Sequence, residues 1–190
     1  MATQDSRIKI KRSTITATVP TVPSSNDHTD GTWIATDIYK GELFFNQADG
    51  VLWSRDDNGI NCLGGSASLT IASADVLTLN STPLTIVGAV SGYAIEVISA
   101  SVKIDFNTTP YATNTFIQLI VSGATTAQYG AGILNATVAT TKKLPEISTT
   151  SATTTQLITN SSLQVSTLIG NPTAGDSDIT VFVNYRLIPA

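Results

Sequence analysis

The one histidine, His28, has Asp27 and Asp30 beside it. An imidazole oriented by a carboxylate and within reach of a hydroxyl is the working core of nucleophilic hydrolysis. Such groups usually come from distant segments, whereas these three share one Pro/Ser-rich stretch, and no G-x-S-x-G turn is present. A solvated loop histidine is the expectation. Glu42, Glu96 and Glu146 are the carboxylates that could flank a sugar in glycoside hydrolysis, but they are scattered and no pairing follows from the sequence. Trp33 and Trp53 could offer aromatic faces to a sugar. Both fall in a short N-terminal stretch where a small core needs large apolar side chains, so core or interface is the expected role.

Metal chemistry is poorly supplied. One cysteine, Cys62, and one histidine cannot make the common zinc sets, and a lone cysteine excludes an intrachain disulfide. Asp56-Asp57-Asn58-Gly59 and Asp176-Ser177-Asp178 are the candidates for calcium. Both lack the bidentate glutamate of an EF-hand loop and read as turns. No glycine pattern lies between a strand and a helix, so no phosphate cradle is expected. The chain is therefore expected not to be an enzyme, and no cofactor or metal is expected.

The elements that carry these residues read as strands. Thr makes up roughly a sixth of the chain, and Thr, Val and Ile suit a pleated, half-buried surface because their branched Cβ restricts χ1. Charged residues are 13%, about half the ordinary share, yet mean hydropathy is only +0.17. No apolar run approaches the ~18 residues of a membrane span, so no membrane association is expected. Few charges and many hydroxyls suggest a surface partly covered by other chains. A net charge of −4 argues against a nucleic-acid partner, which needs a concentrated basic face. The basic cluster Arg7, Lys9, Lys11 and Arg12 is short and lacks interleaved aromatics. Four glycosylation sequons, at Asn80, Asn107, Asn135 and Asn160, are expected by chance in so Thr-rich a chain. The first residues show no apolar signal-peptide core, so synthesis in a cytoplasm is expected.

Residues 1–30 read as an extended arm. Ile8 and Ile10 share one face of an alternating strand through Lys11, and Ile15 to Val19 suggests a second short strand. A turn-rich segment follows, and such an arm needs a partner to order it. Gly41–Asn46 and Val51–Ser54, joined by Gln47-Ala48-Asp49-Gly50, predict a hairpin. Residues 60–72, small and polar, predict a linker between an N-terminal module (1–59) and a second domain (73–190). In that domain Ile98, Ala100, Val102, Ile104 and Phe106 share one face. Leu163, Val165, Thr167 and Ile169 form another such set, and Ile179, Val181, Val183, Tyr185 and Leu187 a third. Thr115–Val121 is apolar on both faces, as a central or interface strand would be. Ser148–Thr155 predicts a loop. The fold class is all-β, with a small N-terminal strand and hairpin module followed by an antiparallel, jelly-roll-like β-sandwich.

Two segments carry a resemblance. Arg12, Ser13, Gly41, Glu42, Leu43, Asn46, Asp49, Gly50 and Leu52 resemble the N-terminal module of tailed-phage fibre and head-fibre proteins. Leu77–Pro83, Ala94–Val97, Tyr111, Gly170-Asn171-Pro172-Thr173, Gly175-Asp176 and Val183–Arg186 resemble a domain of phage virion proteins. The resemblance implies a trimeric jelly roll on the outer surface of a phage particle. It also implies attachment through Arg7, Lys9, Lys11, Arg12, Ser13, Gly41, Glu42, Asn46, Asp49 and Gly50. The implied partners are further copies of the chain and another virion protein, either the major capsid protein or a portal or tail adaptor. Relatives often carry a long fibrous shaft between the modules; the short connection here favours capsid decoration or a short head fibre. The alternative is a tail fibre whose C-terminal domain contacts a host-surface glycan or protein.

Overall fold

The computed structural model describes residues 10–25, 30–122, 129–146 and 157–189. They fall into two compact units, Met1–Gly65 and Ser66–Ala190. In the first, β1 (Lys11–Ser13) pairs parallel with β2 (Leu43–Asn46), and β2 pairs antiparallel with β3 (Val51–Arg55). The expected hairpin is present, closed by Gly50 at φ +66°. Phe44 and Trp53 face each other in its register and are almost wholly buried with Ile38 and Val51. These large side chains give a small unit its core.

Three expectations for this region are corrected. Residues 60–72 are not a linker: β4 (Ile60–Ile71) is a twelve-residue strand whose first half pairs with β3. Small side chains hid it, because ladder bonds come from the backbone whatever the side chain's size. Residues 15–19 are not a strand; Ala17 has φ +59° and Thr18 N bonds back to Ile15 O. Their backbone groups are taken by side chains instead, which competes with strand pairing. Residues 10–25 are also not a free arm. Pro20 and Pro23 are buried, and Thr21 bridges to Asp37, with Ile38 N donating to Thr21 O at 3.0 Å. The alternating strand begins only at Lys11, and Ile10 is exposed; residues 7–9 lie outside the described residues.

The second unit contains α1 (Ser73–Val76), β5 (Leu84–Val87), β6 (Tyr93–Asp105), β7 (Phe116–Val121), β8 (Tyr129–Gly132), β9 (Thr140–Leu144), β10 (Leu163–Thr167) and β11 (Asp178–Pro189). With the second half of β4, these strands form two sheets, ordered β4-β11-β6-β9 and β5-β10-β7-β8. The neighbours nest: β7 pairs β8, β6 pairs β9, β5 pairs β10 and β4 lies beside β11. That is the winding of a jelly roll, a ribbon of paired strands rolled into two sheets. Ala100, Val102, Ile104, Val181 and Val183 on one sheet, and Ile117, Leu119, Val121, Leu163 and Val165 on the other, are buried as the shared core.

Two inward sets needed correction. Ile98 is 57% exposed because β6 carries a bulge. Asn184 pairs with Ser99 and Tyr185 with Val97, leaving Ile98 unpaired. The bulge resets the alternation, so Ile95 and Val97 point inward before it and Ala100, Val102 and Ile104 after it. Ile169 lies beyond the end of β10 and faces solvent. β7 is an inner strand between β8 and β10, with Phe116 and Ile120 half-buried on its other face. Ser148–Thr155 lies outside the described residues.

Candidate functional site

Among the described residues, five of those expected for attachment gather into two clusters in the first unit, Lys11 with Glu42 and Ser13 with Asn46 and Asp49. Lys11 reaches from β1 over the segment before β2. Its Nζ donates to the Asp37 carbonyl and lies 3.1 Å from Glu42 Oε2. It stands 5.1 Å from the centre of the Trp33 ring and 5.5 Å from that of Tyr39, a cation held by two aromatic faces and a carboxylate. Glu42 Oε2 also accepts from Tyr39 N at 2.8 Å. Asp37 is the buried partner that the sequence reading missed. Its carboxylate accepts from Thr21 Oγ1 at 2.7 Å and Ile34 N at 3.0 Å. Those bonds, foremost that from Thr21, hold the group below the usual carboxylate range. The only advance signal was the apolar pair Ile38-Tyr39 directly after it. Lys11 thus ties residues 33–42 to β1.

Asn46 and Asp49 form the second cluster. Asn46 is 1% exposed, and its Nδ2 donates to Ile15 O (3.1 Å), Thr18 O (3.0 Å) and Asp49 Oδ2 (2.6 Å). Its Oδ1 accepts from Ala48 N at 3.0 Å. Asp49 Oδ2 accepts from Ala17 N at 2.6 Å. Ser13 completes the arrangement: its carbonyl accepts from Gln47 N at 2.8 Å and its Oγ from Ile15 N at 3.1 Å. One buried amide therefore locks the segment after β1 onto the hairpin turn, and nearly all of its hydrogen-bonding capacity is used. Gly41, at φ +80°, directs its N–H to Arg55 O and opens β2. Arg12 is exposed; Arg7 and Lys9 lie outside the described residues.

The matching residues therefore build the unit, and its surface carries a different feature. Ile10, Ile15, Val22, Trp33, Ile34 and Leu63 are 42–72% exposed. Of the two tryptophans read as core or interface, Trp53 fills the core, while Trp33 lies half open over Lys11. Asp56 caps its own turn, accepting from Asn58 N and Gly59 N at 2.7 and 3.0 Å. Asp27 and His28 lie outside the described residues. Glu96 pairs with Arg186 across β6 and β11.

In the second unit the other matching segments also converge. Asn171 Oδ1 accepts from Asn80 N at 2.8 Å and Ser81 N at 3.1 Å, and the Asn171 carbonyl from Asn114 Nδ2 at 2.9 Å. Asp176 accepts from Asn107 Nδ2, Thr108 N and Thr109 N at 2.9–3.1 Å. Hydrogen bonds, first that of the Thr108 hydroxyl and then that of Thr109 N–H, lower its pKa. Tyr111, 2% exposed, donates to Ser177 O at 2.6 Å. Burial, followed by the charges of Asp178 and Asp176, pushes its pKa up to about 12. Donors and acceptors here satisfy one another, which suits a scaffold for loops.

Comparison with protein-family models and with curated proteins gives no match. Among solved structures, a chain of the cyanophage Pam1 capsid asymmetric unit is similar over 66% of this chain and 86% of its own length, with TM-score 0.44 and 15% identity.

Proposed function

We propose that this chain is a non-enzymatic structural protein on the outer surface of a bacteriophage particle. It acts as a capsid decoration protein or short head fibre, a homotrimer docked by its first unit with the jelly roll directed outward. The observation that carries the reading is the exposed apolar set of the first unit. Six large side chains are left in water on so small a unit, apolar area that gains by being covered. Asn46 and Lys11 hold the segments that carry Ile15 and Trp33. The low content of charge and the jelly-roll winding, common among viral coat domains, agree with this role.

The test is copy number and position on the particle. With the chain tagged and particles imaged, the reading expects many copies spread over the head. It also expects Val22→Asp with Ile34→Asp to lower occupancy at least tenfold while the circular dichroism of the purified chain is unchanged. A few copies at the tail tip, or unchanged occupancy in the double variant, would sink it. The first of these outcomes would favour the receptor-binding alternative, in which the second unit contacts a host-surface glycan.

A further inference from the structure

The loop between β10 and β11 holds an isoleucine where chain geometry resists one. Ile169 has φ +74°, and Gly170 N donates to Leu168 O at 3.0 Å across that single residue. This is a γ-turn of the hand that is rare and strained for L-residues, and a branched Cβ makes the strain worse. The side chain is also 88% exposed, more than any other large apolar side chain among the described residues, and its neighbour Leu168 is 40% exposed. Glycine at this position would relieve both costs.

The surroundings impose the conformation from both sides. Thr167 Oγ1 donates to Gly170 O at 2.9 Å, and Leu168 N to Phe116 O at 3.0 Å. Past the turn, Asn171 is fixed by Asn80, Ser81 and Asn114. A strained residue persists only where its neighbours over-determine it, and such residues cluster at functional positions. Here the bonds keep an apolar side chain raised in water.

A matching hollow lies on the same chain. Phe182, 42% exposed, stands on the outer face of the β4-β11-β6-β9 sheet. Depressions of about 250 and 300 Å³ flank its ring, the first lined also by Ser66, Ala67, Ser68, Val183 and Asn184, the second by Ser99, Ala100, Ser101, Lys143 and Asn184. Small side chains beside an aromatic wall leave room for one branched aliphatic group. Arg186 pairs with Glu96 and Lys103 with Asp105, and Lys143 lines only the second depression, so the first, lined by no charged residue, is the one that suits an uncharged visitor.

We propose that Ile169 is a docking knob that inserts beside Phe182 of a second copy of this chain. The proposal rests on the self-associating part of the reading above. Knob and hollow are different patches of one molecule, so the contact is head-to-tail, the kind that closes into a ring such as a trimer. Leu168 packs at the rim of the same contact.

The experiment is sedimentation equilibrium on the purified chain, Ile169→Gly, Phe182→Ala and the double variant. Ile169→Gly is expected to weaken association at least tenfold. In the monomer, at concentrations below both dissociation constants, it is expected to raise Tm by about 2–4 °C as the turn relaxes. Phe182→Ala is expected to weaken association similarly, and the double variant to be no worse than either alone, the mark of two residues sharing one contact. Wild-type association in Ile169→Gly, or single effects that multiply, would overturn the pairing while leaving the oligomer intact. So would an Ile169→Gly oligomer that fails to join particles, since the knob would then face another virion protein. A wild-type chain that stays monomeric at tens of micromolar would remove both this contact and the trimer.

Discussion

Gly175→Ala tests how the second unit holds its loops. A Cβ on Gly175 would lie 2.2, 2.4 and 2.6 Å from Tyr111 Cδ1, Cγ and Cε1, where carbon atoms ordinarily stand about 3.5–4.0 Å apart. The ring must retreat by more than about 1 Å, yet it is 2% exposed and anchored through its hydroxyl to Ser177 O. Overpacking of this kind costs about 1–3 kcal/mol. Placing a Cβ at φ +90° adds about 1–2 kcal/mol, and straining the buried hydrogen bond roughly 1 kcal/mol more. The expected loss is about 3–6 kcal/mol, a large part of a domain's usual stability of about 5–15 kcal/mol. Urea unfolding of the full chain, followed by far-ultraviolet circular dichroism, measures it. Tyr111→Leu supplies the control: with the ring gone, Gly175→Ala should cost only the backbone share, about 1–2 kcal/mol. A cost below about 1 kcal/mol in the wild-type background, or the same cost with and without the ring, would refute the reasoning.

Two further outcomes follow from groups already described. Asn46→Ala should destabilise the first unit by about 2–3 kcal/mol, since it removes the amide donor to Thr18 O and Asp49 Oδ2 and the acceptor of Ala48 N; amide exchange at residues 17, 48 and 49 should quicken, and unchanged protection there would count against the clamp. Tyr111, raised to about 12 in the folded chain from 10.0, contributes stability that is whole below pH 10 and declines as pH rises toward 12, because the unfolded chain ionises first. Tyr111→Phe should flatten that alkaline decline, and an unaltered pH profile would show that the burial of this hydroxyl has no such effect.

Much of the fold could be read from alternation. Ile179 to Leu187 points inward at every second residue, as its pattern requires. Two kinds of position defeated that reading. The first is the bulge: one unpaired residue at Ile98 changes the parity of a strand, and nothing in an unbroken run of β-formers marks it. The second is the small-residue strand. In Ser66-Ala67-Ser68-Leu69-Thr70-Ile71 the alternation was present, with Ala67, Leu69 and Ile71 turned inward relative to Ser66, Ser68 and Thr70. Glycines and serines concealed it by looking like a linker. The site was legible in residue type more than in role. Asn46 and Asp49 stood out, but a buried amide bonded across 28 and 31 residues leaves no local trace. Asp37 was missed because its partners, Thr21 and Ile34, sit in text without periodicity.

The winding of the second unit also governs when it can fold. β11 lies in the interior of its sheet, between β4 and β6, yet it is the last of these strands to leave the ribosome. Until residues 178–189 emerge, β4 and β6 each present a bare row of backbone donors and acceptors, the kind of edge that recruits other chains. Translation at about 5–20 residues per second makes that interval seconds long, and the distant pairings that must then form are intrinsically slow. Neighbouring copies emerging from one polysome would meet in this unfinished state. The nascent chain's exposure to mispairing is thus set by strand order, whatever the stability of the finished jelly roll.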